Sequence, residues 1–180
     1  MKTAIVYYSR RGGNWFDGKV VQLEVGNTEL LSSYLKEVTG GDLFSLQMKH
    51  PYSDDYDICV NEAKEDQINH VLPELREIPD LSIYDEIYLG YPIFWEDLPQ
   101  PVSSFLSSVD LSGKRIYPFS THEGSGLGAS VSHIKELQPQ AEVLSPLPFP
   151  GSLVKKGYNR MKNWVEKNQK QSKEKNYELD

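Results

Sequence analysis

The sequence predicts an α/β domain in which a parallel sheet is covered by helices on both faces. Three observations predict it. Short apolar runs that read as buried strands alternate with segments of helical spacing from one end of the chain to the other. The 180 residues suffice for one domain with a real core and are too few for two. No repeat or compositional break divides them, so residues 1–168 are read as one domain and residues 169–180 as a flexible charged tail.

The elements follow in order. Residues 2–8, KTAIVYY, form the first strand. Asp17-Gly18 is a dipeptide suited to a type I′ turn, and Asn14-Trp15-Phe16 and Lys19-Val20-Val21 flank it as the arms of a β-hairpin. Residues 27–38 place Leu30, Leu31, Tyr34, Leu35 and Val38 at helical spacing, and Gly40-Gly41 stop that helix. Residues 42–48 are a second sheet strand, followed by a polar stretch and a helix over about 58–76. Residues 85–94 (DEIYLGYPIF) are the third, with a helix starting near Pro101. Residues 114–120 are the fourth, followed by a helix over about 127–137. Residues 141–147 are the fifth, and a last helix spans about 153–168.

Composition narrows the function. No run approaches the roughly 20 apolar residues of a membrane span, and the chain opens on a strand rather than a signal sequence. Cys59 stands alone, which excludes an internal disulfide and fits a reducing, cytoplasmic setting. The net charge of −7 is uneven: residues 151–180 carry eight Lys/Arg and four Asp/Glu, net +4, leaving −11 on residues 1–150. An acidic body argues against nucleic acid and is compatible with basic protein partners, or is ordinary solubility charge. His50, His70, His122 and His133 show no metal-ligand spacing, so no metal is expected.

In a parallel sheet of this kind ligands sit beyond the carboxyl ends of the strands, which singles out residues 9–28, 91–99 and 120–128. In the first loop, Gly26-Asn27-Thr28 opens a helix whose free N–H groups and positive dipole end favour a phosphate. Hydroxyls of Ser9 and Thr28 and the Asn27 amide supply further donors. The alternative is that Asn27 or Thr28 only caps the helix. A hairpin begins and ends at nearly the same place, so the inserted segment leaves Ser9-Arg10 beside Gly26-Asn27-Thr28. In the second loop Phe94 and Trp95 offer flat faces to a conjugated ligand, stiffened by Pro92 and Pro99, or pack on the following helix. In the third, Gly124, Gly126 and Gly128 with Ser120, Thr121 and Ser125 allow a backbone to approach a ligand closely and donate to its edge. This loop is neither a nucleophile elbow nor a G-x-G-x-x-G fingerprint.

Taken together, Tyr8-Ser9-Arg10 with Gly26-Asn27-Thr28, Gly90-Tyr91-Pro92-Ile93-Phe94-Trp95, and Pro118-Phe119-Ser120-Thr121 with Gly124-Ser125-Gly126 resemble the flavodoxin family, in its bacterial flavodoxin-like branch. The resemblance runs in order to about Trp164. It departs in the segment interposed between the halves of the first motif and in Phe94, which stands where the branch has a tryptophan. It implies a flavodoxin-like three-layer sandwich with a five-stranded parallel sheet of order 2-1-3-4-5, and FMN bound at the strand tips. It implies phosphate contacts from Ser9, Arg10, Gly26, Asn27 and Thr28, with Asn14 of the interposed segment as a further candidate. The ring would rest against Pro92, Ile93, Phe94 and Trp95, and its pyrimidine edge would face Ser120, Thr121, His122, Gly124, Ser125 and Gly126.

Three functions suit such a protein. An electron carrier needs an exposed flavin edge and a redox partner protein, for which the acidic body is a docking face. An NAD(P)H-dependent FMN oxidoreductase of the quinone-reductase type needs a second pocket against the ring, which Trp15 and Phe16 would wall unless they fold back on the core. A flavin-free interaction module on the same fold ranks last, because all three loops keep ligand-type residues. His122 is either an imidazolium near the flavin N1, kept protonated by Glu123, or a surface turn residue.

Overall fold

The structure, a computed structural model, describes residues 1–177. Strand β1 (Thr3–Tyr7) is followed by β2 (Gly12–Phe16) and β3 (Lys19–Leu23), then α1 (Asn27–Thr39), β4 (Asp42–Ser45), α2 (Tyr56–Ile68), β5 (Glu86–Pro92) and α3 (Gln100–Ser108). The chain continues through β6 (Arg115–His122), α4 (Ser130–Leu137), β7 (Glu142–Val143), β8 (Leu147–Pro150), a 3-10 turn (Gly151–Lys156) and α5 (Tyr158–Tyr177). The main sheet runs β4-β1-β5-β6, with β7 and β8 both paired to the far side of β6, and its pairings are parallel. This is the order 2-1-3-4-5, with the fifth strand in two pieces. The interruption falls at Ser145-Pro146: Ser145 turns left-handed at φ 45°, and proline has no N–H for the ladder.

Alternation of side chains along the strands builds two cores. Ile87, Leu89 and Tyr91 of β5 face one side with Val6, Val102, Phe105 and Ile134, while Tyr88 faces the other with Ile5, Leu31, Leu35, Phe119 and Trp164. Leu31 and Leu35, one turn apart on α1, are fully buried, each contributing about 1.5–3 kcal/mol. Gly90 has no alternative at its position, since a Cβ there would lie 2.2 Å from the Phe119 ring. Helix α5 runs to Tyr177, past the point at residue 169 where the sequence reading began a flexible tail. Its inward stripe continues from Met161, Trp164 and Val165 into Asn168 and Ser172, both buried, and the Ser172 hydroxyl lies 3.1 Å from the Tyr117 hydroxyl. Polar residues at stripe positions hid the helical pattern. Residues 178–180 of that expected tail lie outside the described residues. No helix among the described residues is long and apolar enough to cross a membrane.

The inserted segment is an antiparallel hairpin in register Gly12↔Leu23 to Phe16↔Lys19. Its turn residues Asp17 and Gly18 have φ of 51° and 81°, the two positive values of a type I′ turn.

Candidate functional site

Above the carboxyl ends of β1, β5 and β6 lies a cavity of about 380 Å³. The three loops identified from sequence meet there, and each is fixed by contacts to the next.

The hairpin leaves the two halves of the first loop in contact. A Cβ on Gly26 would fall 2.2 Å from the Ser9 hydroxyl oxygen and 2.7 Å from the Arg10 carbonyl, so only glycine allows the close approach. The N-cap of α1 is Gly26, with no side-chain capping bond, so neither Asn27 nor Thr28 serves as the cap. The Ser9 hydroxyl instead accepts the Glu29 N–H at 3.1 Å. The N–H groups of Asn27 and Thr28 have no acceptor among the described residues and stand at the positive end of the helix dipole.

Arg10 lines the cavity, and its guanidinium holds the hairpin base down. It donates to the carbonyls of Gly13, Ser53 (2.6 Å) and Asp55 (3.4 Å). The Gly13 N–H donates to the Asp54 carbonyl at 3.0 Å, and Trp15 packs on Tyr56 with ring centroids 6.0 Å apart. At the hairpin tip the Asp17 N–H donates to Glu123 at 3.3 Å. The hairpin therefore folds across the cavity from α2 to the β6–α4 loop.

The second loop carries its aromatics on a tight reverse turn. Phe94 and Asp97 exchange backbone bonds of 3.0 and 3.1 Å around Trp95 and Glu96, whose φ values are 48° and 61°. Two non-glycine residues in the left-handed region carry strain on the order of 1–3 kcal/mol each, of the kind stored at binding sites. The turn is held by its neighbours: Trp95 Nε1 donates to the Val60 carbonyl at 3.0 Å, Gln67 donates to the Trp95 carbonyl, and Ala129 N–H donates to the Glu96 carbonyl at 2.8 Å. Lys64 sits over the Trp95 ring, 4.7 Å from its centroid. Phe94 meets Tyr8 edge-on at 6.1 Å.

In the third loop the Thr121 hydroxyl lies 2.8 Å from that of Thr28, and the Thr121 carbonyl accepts from the Ile93 N–H at 3.0 Å. Ser120 is turned inward, donating to the Gly126 carbonyl at 2.7 Å. Nδ1 of His122 accepts the Gly124 N–H at 3.0 Å. Burial, reinforced by Arg160, lowers its pKa. Of the two alternatives the sequence leaves for His122, the lowered pKa and the Gly124 bond weigh against the imidazolium. Glu123 is spent on the hairpin tip, and burial pushes its carboxyl up.

Of the sixteen residues named from sequence, Ser9, Arg10, Asn14, Asn27, Thr28, Pro92, Ile93, Phe94, Trp95, Thr121, His122 and Ser125 line the cavity. Gly26, Ser120, Gly124 and Gly126 do not line it, though they belong to the same loops. The sequence reading did not reach Tyr56, Cys59, Val60 and Ala63, which form one wall. Their spacing of three, one and three is a single helical stripe, and that was the signal available for them. Burial pushes the Cys59 thiol up to about 11 against the lowering effect of Arg10, so the wall is neutral there.

A nucleotide-sized cavity at the strand tips of an open parallel sheet, aromatic at one part and bounded elsewhere by a free helix N-terminus, defines a doubly wound protein of the mononucleotide-binding kind. The chain belongs to the flavodoxin family: the family's sequence profile, described as flavodoxin, matches residues 19–168. Among solved structures it is similar to a Bacteroides uniformis protein assigned as a flavoprotein, with TM-score 0.71 and 22% identity over 92% of this chain and 97% of that one. It is also similar to a Lactobacillus acidophilus flavoprotein in complex with FMN (TM-score 0.61, 22% identity, 86% and 97% covered). An oxidised flavodoxin from Bacillus cereus matches with TM-score 0.50 and 19% identity over 93% and 99% of the two chains. No curated protein matches the chain in sequence.

Proposed function

We propose that this protein is an FMN-binding electron carrier that exchanges electrons with a redox partner protein. As a member of the flavodoxin family it takes FMN, and the residues present fit that group. The cavity of about 380 Å³ has room for one flavin mononucleotide. The unpaired N–H groups of Asn27 and Thr28, with the Ser9 and Thr28 hydroxyls beside them, would hold the phosphate. Phe94 and Trp95, with Trp15 of the hairpin and Tyr56 of α2, would hold the ring. When bound, the flavin supplies the redox chemistry; the protein positions it and controls access.

The observation that carries the choice of carrier is the aromatic rim. Trp15 and Trp95 line the cavity and are 45% and 44% exposed, so the ring site reaches solvent through conjugated side chains. The hairpin is tied at its base by Arg10 and at its tip by Glu123, and so fixed would hinder a nicotinamide from stacking on the ring. The net −11 of residues 1–150 suits a basic partner. The lone cysteine suits a reducing, cytoplasmic setting.

The test is anaerobic mixing of the FMN-loaded protein with NADPH or NADH alone. The carrier reading predicts that the flavin absorbance persists for minutes while dithionite bleaches it at once. Rapid bleaching by NADPH or NADH without a partner would overturn it in favour of an NAD(P)H-dependent FMN oxidoreductase.

A further inference from the structure

The hairpin is held differently at its two ends. Its base is anchored: Arg10 donates to the Gly13 carbonyl, the Gly13 N–H donates to the Asp54 carbonyl at 3.0 Å, and Trp15 packs on Tyr56. Its tip is held by the 3.3 Å bond from the Asp17 N–H to Glu123. The outer strand β3 pairs only with β2 among the described residues, and its Lys19 and Val20 are exposed. A two-stranded ribbon is marginal on its own in water, so the position of the tip depends on that bond. We infer that the hairpin is a lid on the FMN site, pivoting on its anchored base and latched by Glu123, so that FMN enters and leaves when the latch opens. This role rests on the FMN reading and concerns access to the site.

The placement of the latch supports this. Asn14 and Trp15 of the hairpin line the cavity together with Asn27 and Thr28 at the helix terminus, and Glu123 lines it from the β6–α4 loop. The hairpin thus bridges two walls of the cavity, from Tyr56 of α2 to Glu123. Glu123 also stands where the loop meets α1. A Cβ on Gly151 would fall 2.2 Å from Glu123 Oε1 and 2.8 Å from Asn27 Nδ2, so the carboxylate and the Asn27 amide pack together over this glycine. The other oxygen, Oε2, takes the hairpin tip. A carboxylate accepts a stronger bond from a backbone N–H than a neutral oxygen does. The Asp17 carboxylate acts against it by like-charge repulsion, which leaves a latch that can open.

The experiment compares the full native chain with Glu123→Ala, Glu123→Gln and Glu123→Asp. Amide hydrogen exchange of the flavin-free proteins reads opening of the hairpin. Stopped-flow mixing with FMN reads entry, and replacement of bound FMN by isotopically labelled FMN reads release. Glu123→Ala should speed amide exchange in residues 12–23, and both FMN entry and FMN release, by about tenfold, as loss of one bond to a charged group gives. Glu123→Gln keeps an acceptor oxygen and should stay within about threefold of native. Glu123→Asp keeps the charge but falls one methylene short of the tip, so it should behave as Glu123→Ala, and it decides the matter if Glu123→Ala does not fold. Faster release with unchanged entry would make Glu123 a flavin contact and overturn the lid. Native rates and native amide exchange in Glu123→Asp would overturn it too, with the FMN reading intact. Failure of FMN to bind the native chain would overturn the FMN reading itself, and the lid with it.

Discussion

The hydroxyls of Thr28 and Thr121 lie 2.8 Å apart and buried, 93 residues apart in sequence. One belongs to the first turn of α1 and the other to the end of β6, so this contact closes the cavity at the helix terminus. Thr121 also accepts from the Ile93 N–H, which draws the aromatic loop to the same point. The three loops therefore behave as one interlocked frame rather than three separate contributors.

The frame is most sensitive where backbones touch. A Cβ on Gly128 would lie 2.0 Å from the Glu96 carbonyl oxygen, and Gly128 has φ 49°. Gly128→Ala should cost about 1–3 kcal/mol of stability, by overpacking against backbone that has nowhere to go. It should also displace the Trp95-Glu96 turn and weaken FMN. Urea denaturation with and without FMN checks this; unchanged stability and FMN affinity would show that the turn is not held by the 128–129 segment.

Trp95 should stack on or edge the flavin ring, and its fluorescence should be quenched when FMN binds. Trp15 and Trp164 also emit, so the comparison is with Trp95→Phe, which should show a smaller fractional quench. Equal quenching in the two proteins would place Trp95 outside the ring site.

Two histidines should titrate in opposite directions. His122 has a lowered pKa through burial and Arg160, so the unfolded chain takes up its proton first and stability falls as pH drops through about 6.5. His133 is raised by its 3.3 Å bond to Asp97, which prevails over burial. Its contribution is full below about 6.5 and is lost as pH rises through the folded value. The pair joins the aromatic loop to α4 and is partly exposed, so His133→Gln should cost on the order of 0.5–1 kcal/mol at pH 5.5 and less at pH 8.5. Imidazole NMR titration checks both directions; a His122 midpoint above 6.5 or a His133 midpoint below it contradicts the assignment.

Much of this was legible in the sequence because the relevant signals are local. Apolar runs such as residues 2–8 and the Asp17-Gly18 turn are read without knowing the partners they pack against. Arg10 was harder. The family resemblance implies a phosphate contact from it; its bonds here go to carbonyls of Ser53 and Asp55, more than forty residues away, and no local pattern reveals them. For α2 the sequence predicts a helix over about 58–76. It ends at Ile68, where Asn69 closes it and His70 turns left-handed at φ 51°. Its cavity wall of Tyr56, Cys59, Val60 and Ala63 is a short stripe that begins at Tyr56, before the expected helix start at about 58.

The central claim is that the N-terminus of α1 holds the phosphate of the flavin, and Thr28→Ala tests it most directly. Titration of the flavin-free native protein and the variant with FMN and with riboflavin gives four affinities. The account predicts that the variant loses about tenfold to a hundredfold in FMN affinity, as one bond to a charged group of about 1.5–3 kcal/mol would give, while riboflavin changes only severalfold. Equal weakening of FMN and riboflavin would contradict it and move the phosphate away from Asn27 and Thr28.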